Sequence, residues 1–380
     1  MDYKFLEMKT TADLNTSPRI LLGPGPSMVH PRVLRAMATP LVGHLDPQFL
    51  ALMNEVQSML RHVFQTHNEL TIPVSGTGSA GMEAALCNFI EPGDRVLVGV
   101  MGYFGERLVD MAGRYGARVD RLERPWGEVF EPEEFERALR GRNYKLVALV
   151  HAETSTGAEQ PGVAEIAASA HRSGALVVLD TVTSLGGLPV QIDAWDVDVA
   201  YSGTQKCLSA PPGLAPLTIS PRAREALHKC KTPVPNWYLD LSTLEKYWGS
   251  ERTYHHTAPI SMVYALREAL RIVMEEGLEA RFARHRRNAM DLWRGLEALD
   301  LPPLVPLPHR LTTLTTPQLG PGVDEAGVRR CLLEEYNIEI AGGFGPLKGR
   351  IWRIGLMGFS SRLENITLLL GALKKLLGRY

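Results

Sequence analysis

The sequence predicts an α/β protein, with a mainly parallel central sheet flanked by helices and a smaller α+β unit at the C-terminal end. Three observations carry that prediction. Strand-like and helix-like segments alternate between residues 71 and 182. Two of the strand segments, LVALV (146–150) and ALVVLD (175–180), are nearly unbroken apolar runs, as expected of strands covered on both faces. Beyond about residue 220 the alternation weakens and a long helical pattern followed by separate strands takes over.

Taken in order, residues 1–20 read as a polar arm. The stretch LLGPGPSMVHPRVLRAM follows; its Gly/Pro-rich turn excludes helix, and Pro31 suits the first position of the helix after it. Residues 48–64 carry apolar side chains at helical spacing and predict an amphipathic helix. Strands are then expected at 71–76, 94–100, 117–123, 145–153 and 175–182, with helices at 81–90, 106–116 and 161–173. A helical pattern covers 259–299, and the Pro-rich connector LPPLVPLPHR leads to a strand-like LTTLTTPQL. A helix near 324–336, the strands IEIAGG and IWRIGL, and a helix at 361–377 complete the chain. The expected domains are an arm (1–20), a large α/β domain (21–260) and a small α+β domain (261–380).

Composition excludes several function classes. The 380 residues carry 41 Lys plus Arg against 42 Asp plus Glu, so the formal net charge of -1 argues against an extended nucleic-acid-binding surface. Four cysteines lie far apart with no CxxC or metal-finger spacing, which favours a reducing compartment over a disulfide framework. The N-terminus has charges where a signal peptide needs an apolar core, and no run approaches the roughly 20 apolar residues that cross a bilayer. A soluble cytoplasmic protein is expected, with no membrane or metal partner. His255–His256 lacks a clustered third ligand, His151 reads as a packed residue, and the terminal GRY is not a peroxisomal address.

Three segments carry candidate chemistry. In VSGTGSAGMEAAL (74–86), Gly76, Gly78 and Gly81 follow a strand and precede a helix, where small residues let an anion approach backbone N–H groups. A plain tight turn is the alternative. The segment matches neither GxxxxGK[ST] nor the dinucleotide GxGxxG, so a nicotinamide dehydrogenase is disfavoured. Asp180 ends a buried parallel strand, at the edge where open α/β sheets bind ligands; capping of the next turn is its alternative. Lys206, in YSGTQKCLSAPPG, is one of only ten lysines against 31 arginines and sits among small residues. Such a lysine either forms Schiff bases or is an ordinary surface lysine.

Together these features fit one site. Pyridoxal 5'-phosphate needs a phosphate cradle, a carboxylate opposite its ring nitrogen and a lysine for its aldehyde. Phe104, or alternatively Tyr103, offers a flat face at one strand end, and Thr154 a hydroxyl at another.

At this level the chain resembles the class V aminotransferases of the fold-type I pyridoxal-phosphate enzymes, and within them the alanine–glyoxylate (serine–pyruvate) type. The resemblance covers residues 18–378 and rests on LLGPGPS (21–27), SGTGSAGMEAAL (75–86), HAETSTG (151–157), VLDTVTSLGG (178–187), YSGTQKCLSAPPG (201–213), YHHT (254–257) and WRIGLMG (352–358). It implies that Lys206 is the Schiff-base lysine and that Asp180 binds the ring nitrogen. Phe104 stacks on the ring, Val182 lines the cofactor site and Thr154 contacts the ring oxygen. Gly78, Ser79 and Gln205 bind phosphate within the subunit, and Tyr254 and Thr257 reach it from the partner of a homodimer. Arg353 binds the substrate carboxylate, while Gly25, Gly43 and His44 line the substrate pocket. The chain departs from mammalian members at Phe104, where tryptophan is usual, and at Ser79, which replaces a histidine.

The implied reaction moves an amino group from alanine or serine to glyoxylate or pyruvate in two half-reactions. The same scaffold also serves larger donors such as 3-hydroxykynurenine or aminoethylphosphonate. A lyase or desulfurase would need a mobile sulfur-accepting cysteine, which neither Cys207 nor Cys331 offers in a Gly/Ser-rich loop. A catalytically silent scaffold is disfavoured by the presence of Lys206, Asp180 and Arg353 together.

Overall fold

The apolar runs at 146–150 and 175–180 become adjacent parallel strands, and the rest of the large sheet is assembled around them. The computed structural model describes residues 13–378, so the first twelve residues of the polar arm and the last two of GRY lie outside the described part. In chain order the first strands are β1 (Ile20–Leu21), β2 (Thr71–Ser75), β3 (Arg95–Val100), β4 (Arg118–Glu123), β5 (Leu146–Val150), β6 (Ala152–Glu153) and β7 (Ala158–Glu159). They are followed by β8 (Leu176–Asp180), β9 (Val199–Tyr201), β10 (Leu214–Ile219), β11 (Leu314–Thr315), β12 (Ile338–Glu339), β13 (Ala341–Gly342) and β14 (Trp352–Gly355).

The large sheet has the order β2-β10-β9-β8-β5-β3-β4. Its pairings from β9 through β4 are all parallel, and only β10 runs against its neighbours β2 and β9. Because β10 reverses direction and β2 reverses it again, β2 points the same way as the parallel strands. Six strand ends (β2, β3, β4, β5, β8 and β9) therefore open on one edge, the edge at which such sheets bind ligands.

Each layer follows from local pattern. The helix Pro47–Phe64 starts with Asp46 accepting from the Gln48 N–H at 2.8 Å, and it buries Phe49, Met53, Val56, Leu60, Val63 and Phe64. That spacing is one helical face, and each such side chain contributes about 1.5–3 kcal/mol on leaving water. These residues join the main core with the strands of the large sheet. A second core gathers Leu292, Leu296, Leu332, Trp352, Ile354 and Leu369. The N-terminal strand β1 pairs in parallel with β12, and Leu22 belongs to this second core.

Several elements differ from the sequence expectation for identifiable reasons. The expected 259–299 helix is two helices, Ile260–Glu276 and Leu278–Glu297, separated by Gly277 at φ +78°. That left-handed conformation ends a helix at little cost only in glycine. Strand β10 escapes notice because PPG precedes it and Pro216 interrupts it; Pro216 faces Pro73 of β2 in the register, so the two missing N–H donors fall at one position. LTTLTTPQL forms only the two residues of β11, and IEIAGG divides between β12 and β13, which join different sheets. The helices after β2 and β3 begin early, at Gly78 and Tyr103, directly on leaving the strand. Among the described residues no helix is long and apolar enough to cross a membrane.

Candidate active site

The ends of four of these strands (β2, β3, β8 and β9) converge on a cleft of about 200 Å³. Gly78, Ser79, Phe104, Asp180, Val182, Gln205 and Lys206 line it, so seven of the residues singled out from the sequence meet at one place. The expected anion-binding turn is the first turn of the helix Gly78–Cys87. Thr77 at its cap supplies no side-chain hydrogen bond, which leaves N–H groups at the helix start available to a ligand. A Cβ on Gly78 would lie 3.2 Å from Val182 Cγ2, so this corner of the cleft is tightly packed.

Asp180 is buried at the end of β8. Its Oδ1 accepts from the Val182 N–H and its Oδ2 from the Tyr201 hydroxyl, both at 2.8 Å. Burial raises its pKa to about 6 against these two bonds, which favour the charged form. A carboxylate in this state gains from a nearby cation.

Lys206 follows β9 in a tight turn. Its Nζ donates to the Pro24 carbonyl, while the Ser27 hydroxyl donates to the Lys206 carbonyl at 2.7 Å. The Gly/Pro turn thus holds the lysine. Gly25, at φ +110°, is pressed so close that a Cβ there would sit 2.7 Å from Lys206 Cδ and Nζ. Burial pulls the lysine pKa down to about 8, making its amine a nucleophile near neutral pH.

This displacement has a stability consequence in ligand-free protein. The ordinary lysine value is 10.5 and the folded value about 8. The ammonium therefore costs stability in full below pH 8, and the cost fades between pH 8 and 10.5. Lys206→Met is expected to melt higher than wild type at pH 7, with the difference closing by pH 10.5. Melting curves at the two pH values check this; an equal gap at both contradicts it.

Arg353 lies on β14 between Trp352 and Ile354, which point into the second core, so strand alternation turns the arginine the other way. Its Nε donates to the Gly342 carbonyl at 2.7 Å and its guanidinium lies 3.8 Å from the Phe344 ring centroid. Phe344 lines the cleft. Burial lowers the Arg353 pKa to about 10, with Glu153 opposing. No described carboxylate forms an ion pair with it.

Other expected residues fall elsewhere. Thr154 is buried and does not line the cleft, its hydroxyl bonded to that of Thr183. Tyr254, Thr257 and Gly43 are exposed and do not line the cleft of their own chain; Tyr254 instead packs its ring 5.1 Å from that of His44.

The sequence reading missed Tyr201, Arg107, Phe344 and Glu153. Arg107 follows Phe104 by three residues and so shares its helical face, a signal that spacing could have supplied. Glu153 is buried; its Oε1 accepts from the Ser155 hydroxyl at 2.6 Å and from the Phe104 N–H at 3.4 Å, tying the Phe104 helix to the HAETSTG turn. Burial pushes its pKa up to about 7.

The arrangement offers a weakly basic amine, a buried carboxylate, an anion cradle and an aromatic face. A family model for aminotransferase class-V matches residues 20–346. The chain belongs to the class-V aminotransferases. Like this chain, the relatives of the family it resembles are matched over nearly their full length. It is 43% identical to the (S)-ureidoglycine–glyoxylate transaminase of Bacillus subtilis, over 98% of this chain and 94% of that protein. It is 39% identical to the alanine–glyoxylate aminotransferase of Mus musculus, over 96% and 89% respectively. The crystal structure of alanine–glyoxylate aminotransferase from a Nostoc species superposes with a TM-score of 0.95 at 56% identity, covering 97% of this chain and 98% of that one.

Proposed function

We propose that the chain is a pyridoxal-phosphate-dependent transaminase that passes the amino group of a small L-amino acid, alanine first, to glyoxylate. The observation that carries this reading is the meeting of Lys206 and Asp180 in one cleft with the open helix start at Gly78–Ser79. The side chains fit the cofactor: Gln205 Oε1 is buried without a partner, the Asp180 carboxyl forms no ion pair among the described residues, and the Lys206 amine is partly neutral near pH 8. All three relatives named above have glyoxylate in their names, which supports the acceptor.

Pyridoxal phosphate, when bound, supplies an aldehyde that condenses with amines and a ring that takes up the electron pair released at Cα. In this reading Lys206 Nζ takes the Cα proton of the donor and returns it in the reverse half-reaction. Asp180 holds a proton on the ring nitrogen, with Tyr201 and the Val182 N–H fixing the carboxylate. Phe104 and Val182, which line the cleft, would hold the ring, Thr154 would serve the ring oxygen, and Gly78, Ser79 and Gln205 would receive the phosphate. Arg353 orients the carboxylate shared by donor and acceptor.

The active unit in this reading is a homodimer in a reducing, cytoplasmic setting, with residues 21–260 as cofactor domain and 261–380 as small domain. Tyr254 and Thr257 support the dimer, because they are exposed and apart from their own cleft. The four described cysteines are all unpaired, in keeping with a reducing compartment. Cys207 speaks against sulfur transfer, since burial pushes its thiol up to about 12.

Initial rates with glyoxylate and either alanine, serine or (S)-ureidoglycine test the reading. Glycine formed with stoichiometric pyruvate from alanine is the expected result. A second donor reading, ureidoglycine, is favoured by the 43% identity to the B. subtilis transaminase; a much higher kcat/KM with that donor would replace alanine.

A further inference from the structure

We propose that Arg107 is the cationic partner of the cofactor's phosphate group, completing a cradle whose other members are all neutral. The inference rests on the pyridoxal-phosphate reading and adds a binding residue to it.

A phosphate monoester carries about -1.5 to -2 charges at pH 7. The residues so far assigned to it within the chain, Gly78, Ser79 and Gln205, offer only neutral donors, and a helix start adds the equivalent of about half a positive charge. A guanidinium stands beside them. Arg107 lines the cleft, and its Nη1 donates to Ser79 Oγ at 3.1 Å. The guanidinium also lies 4.9 Å from the Phe104 ring centroid and 5.3 Å from that of Tyr103.

Two further observations point to an anionic ligand. Arg107 takes part in no ion pair with a described residue, whereas Arg121 and Arg124 each bind glutamates. The Gln205 carboxamide also makes no hydrogen bond among the described residues, and its Oε1 is buried. An unpaired cation, an unpaired amide and an open helix start thus face one corner. Arg353, by contrast, is stacked on Phe344 and remains available for a carboxylate. Guanidinium suits phosphate because its fork of N–H donors matches two oxygens at once.

The test compares cofactor-free wild type with Arg107→Met and Arg107→Lys, titrated by absorbance with pyridoxal phosphate and with pyridoxal, which lacks the phosphate. A charge-assisted hydrogen bond implies that Arg107→Met weakens pyridoxal phosphate by about 10- to 100-fold. Pyridoxal binding is expected to change less than about twofold, since its partners Lys206 and Asp180 are intact. Arg107→Lys keeps the charge and is expected to fall between wild type and Arg107→Met. Inorganic phosphate should raise the melting temperature of cofactor-free wild type more than that of Arg107→Met. Equal weakening of both ligands, or no weakening of either, overturns the assignment. Wild type that binds neither pyridoxal phosphate nor pyridoxal overturns the cofactor reading, and this inference with it.

Discussion

Replacing Lys206 by alanine is expected to lower transamination turnover by at least about 10³-fold, the upper part of the range for a positioned acid–base group. Two functions are lost together. The amine that condenses with the aldehyde disappears, and so does the group that carries the Cα proton. Both depend on the setting described above: the turn after β9 places the side chain in the cleft, the Pro24 carbonyl receives its N–H, and burial brings its pKa down to about 8. The phosphate cradle at Gly78–Ser79 is untouched, so the variant is expected to retain cofactor without a covalent link. Steady-state rates, together with the spectrum of the bound cofactor, check this. Turnover within tenfold of wild type would remove Lys206 from the mechanism.

Arg353→Ala is expected to reduce kcat/KM for both alanine and glyoxylate by roughly 10²- to 10³-fold, corresponding to the removal of one partner from a buried charge pair. The loss should appear on both substrates because both present a carboxylate to the same guanidinium. Structure explains why arginine stands on a strand facing otherwise apolar neighbours. Trp352 and Ile354 fill the second core, and the opposite face of β14 delivers Arg353 beside Phe344 at the cleft. With only the Gly342 carbonyl and an aromatic face as partners, it keeps donors for a ligand. Arg353→Lys is expected to recover only part of the loss, since an ammonium lacks the paired donors. Separate kcat and KM values for the two substrates decide the matter; an effect on only one of them would contradict a shared carboxylate site.

The parts of the fold legible in the sequence are those where one physical requirement dominates. LVALV and ALVVLD had to be covered on both faces, and they are the adjacent parallel strands β5 and β8. The 48–64 pattern had one apolar face, and that face is buried. Strand β10 was hidden because the PPG before it and its own Pro216 carry turn signals that tertiary pairing overrides. Gly277 broke a helix that periodicity alone runs together.

Within the site, strand-end residues were legible because topology delivers strand ends to one edge: Asp180, Phe104 and Lys206 meet for that reason. Side-chain direction was not legible. Tyr201 touches Asp180 only because β8 and β9 pair with Asp180 opposite Tyr201. Glu153 reaches Phe104 through a contact between residues 49 positions apart. Tyr254 and Thr257 form a motif in sequence, yet their exposed positions lie apart from the cleft of their own chain.

In the proposed reaction this cleft passes an amino group through bound pyridoxal phosphate. Its most direct test is the visible absorbance of the cofactor-saturated protein, recorded before adding L-alanine, after it, and again after glyoxylate. The expected result is a yellow band that alanine bleaches, with pyruvate released in step, and that glyoxylate restores as glycine forms. A protein that shows no such band when saturated with pyridoxal phosphate, or whose band no amino donor alters, would contradict it.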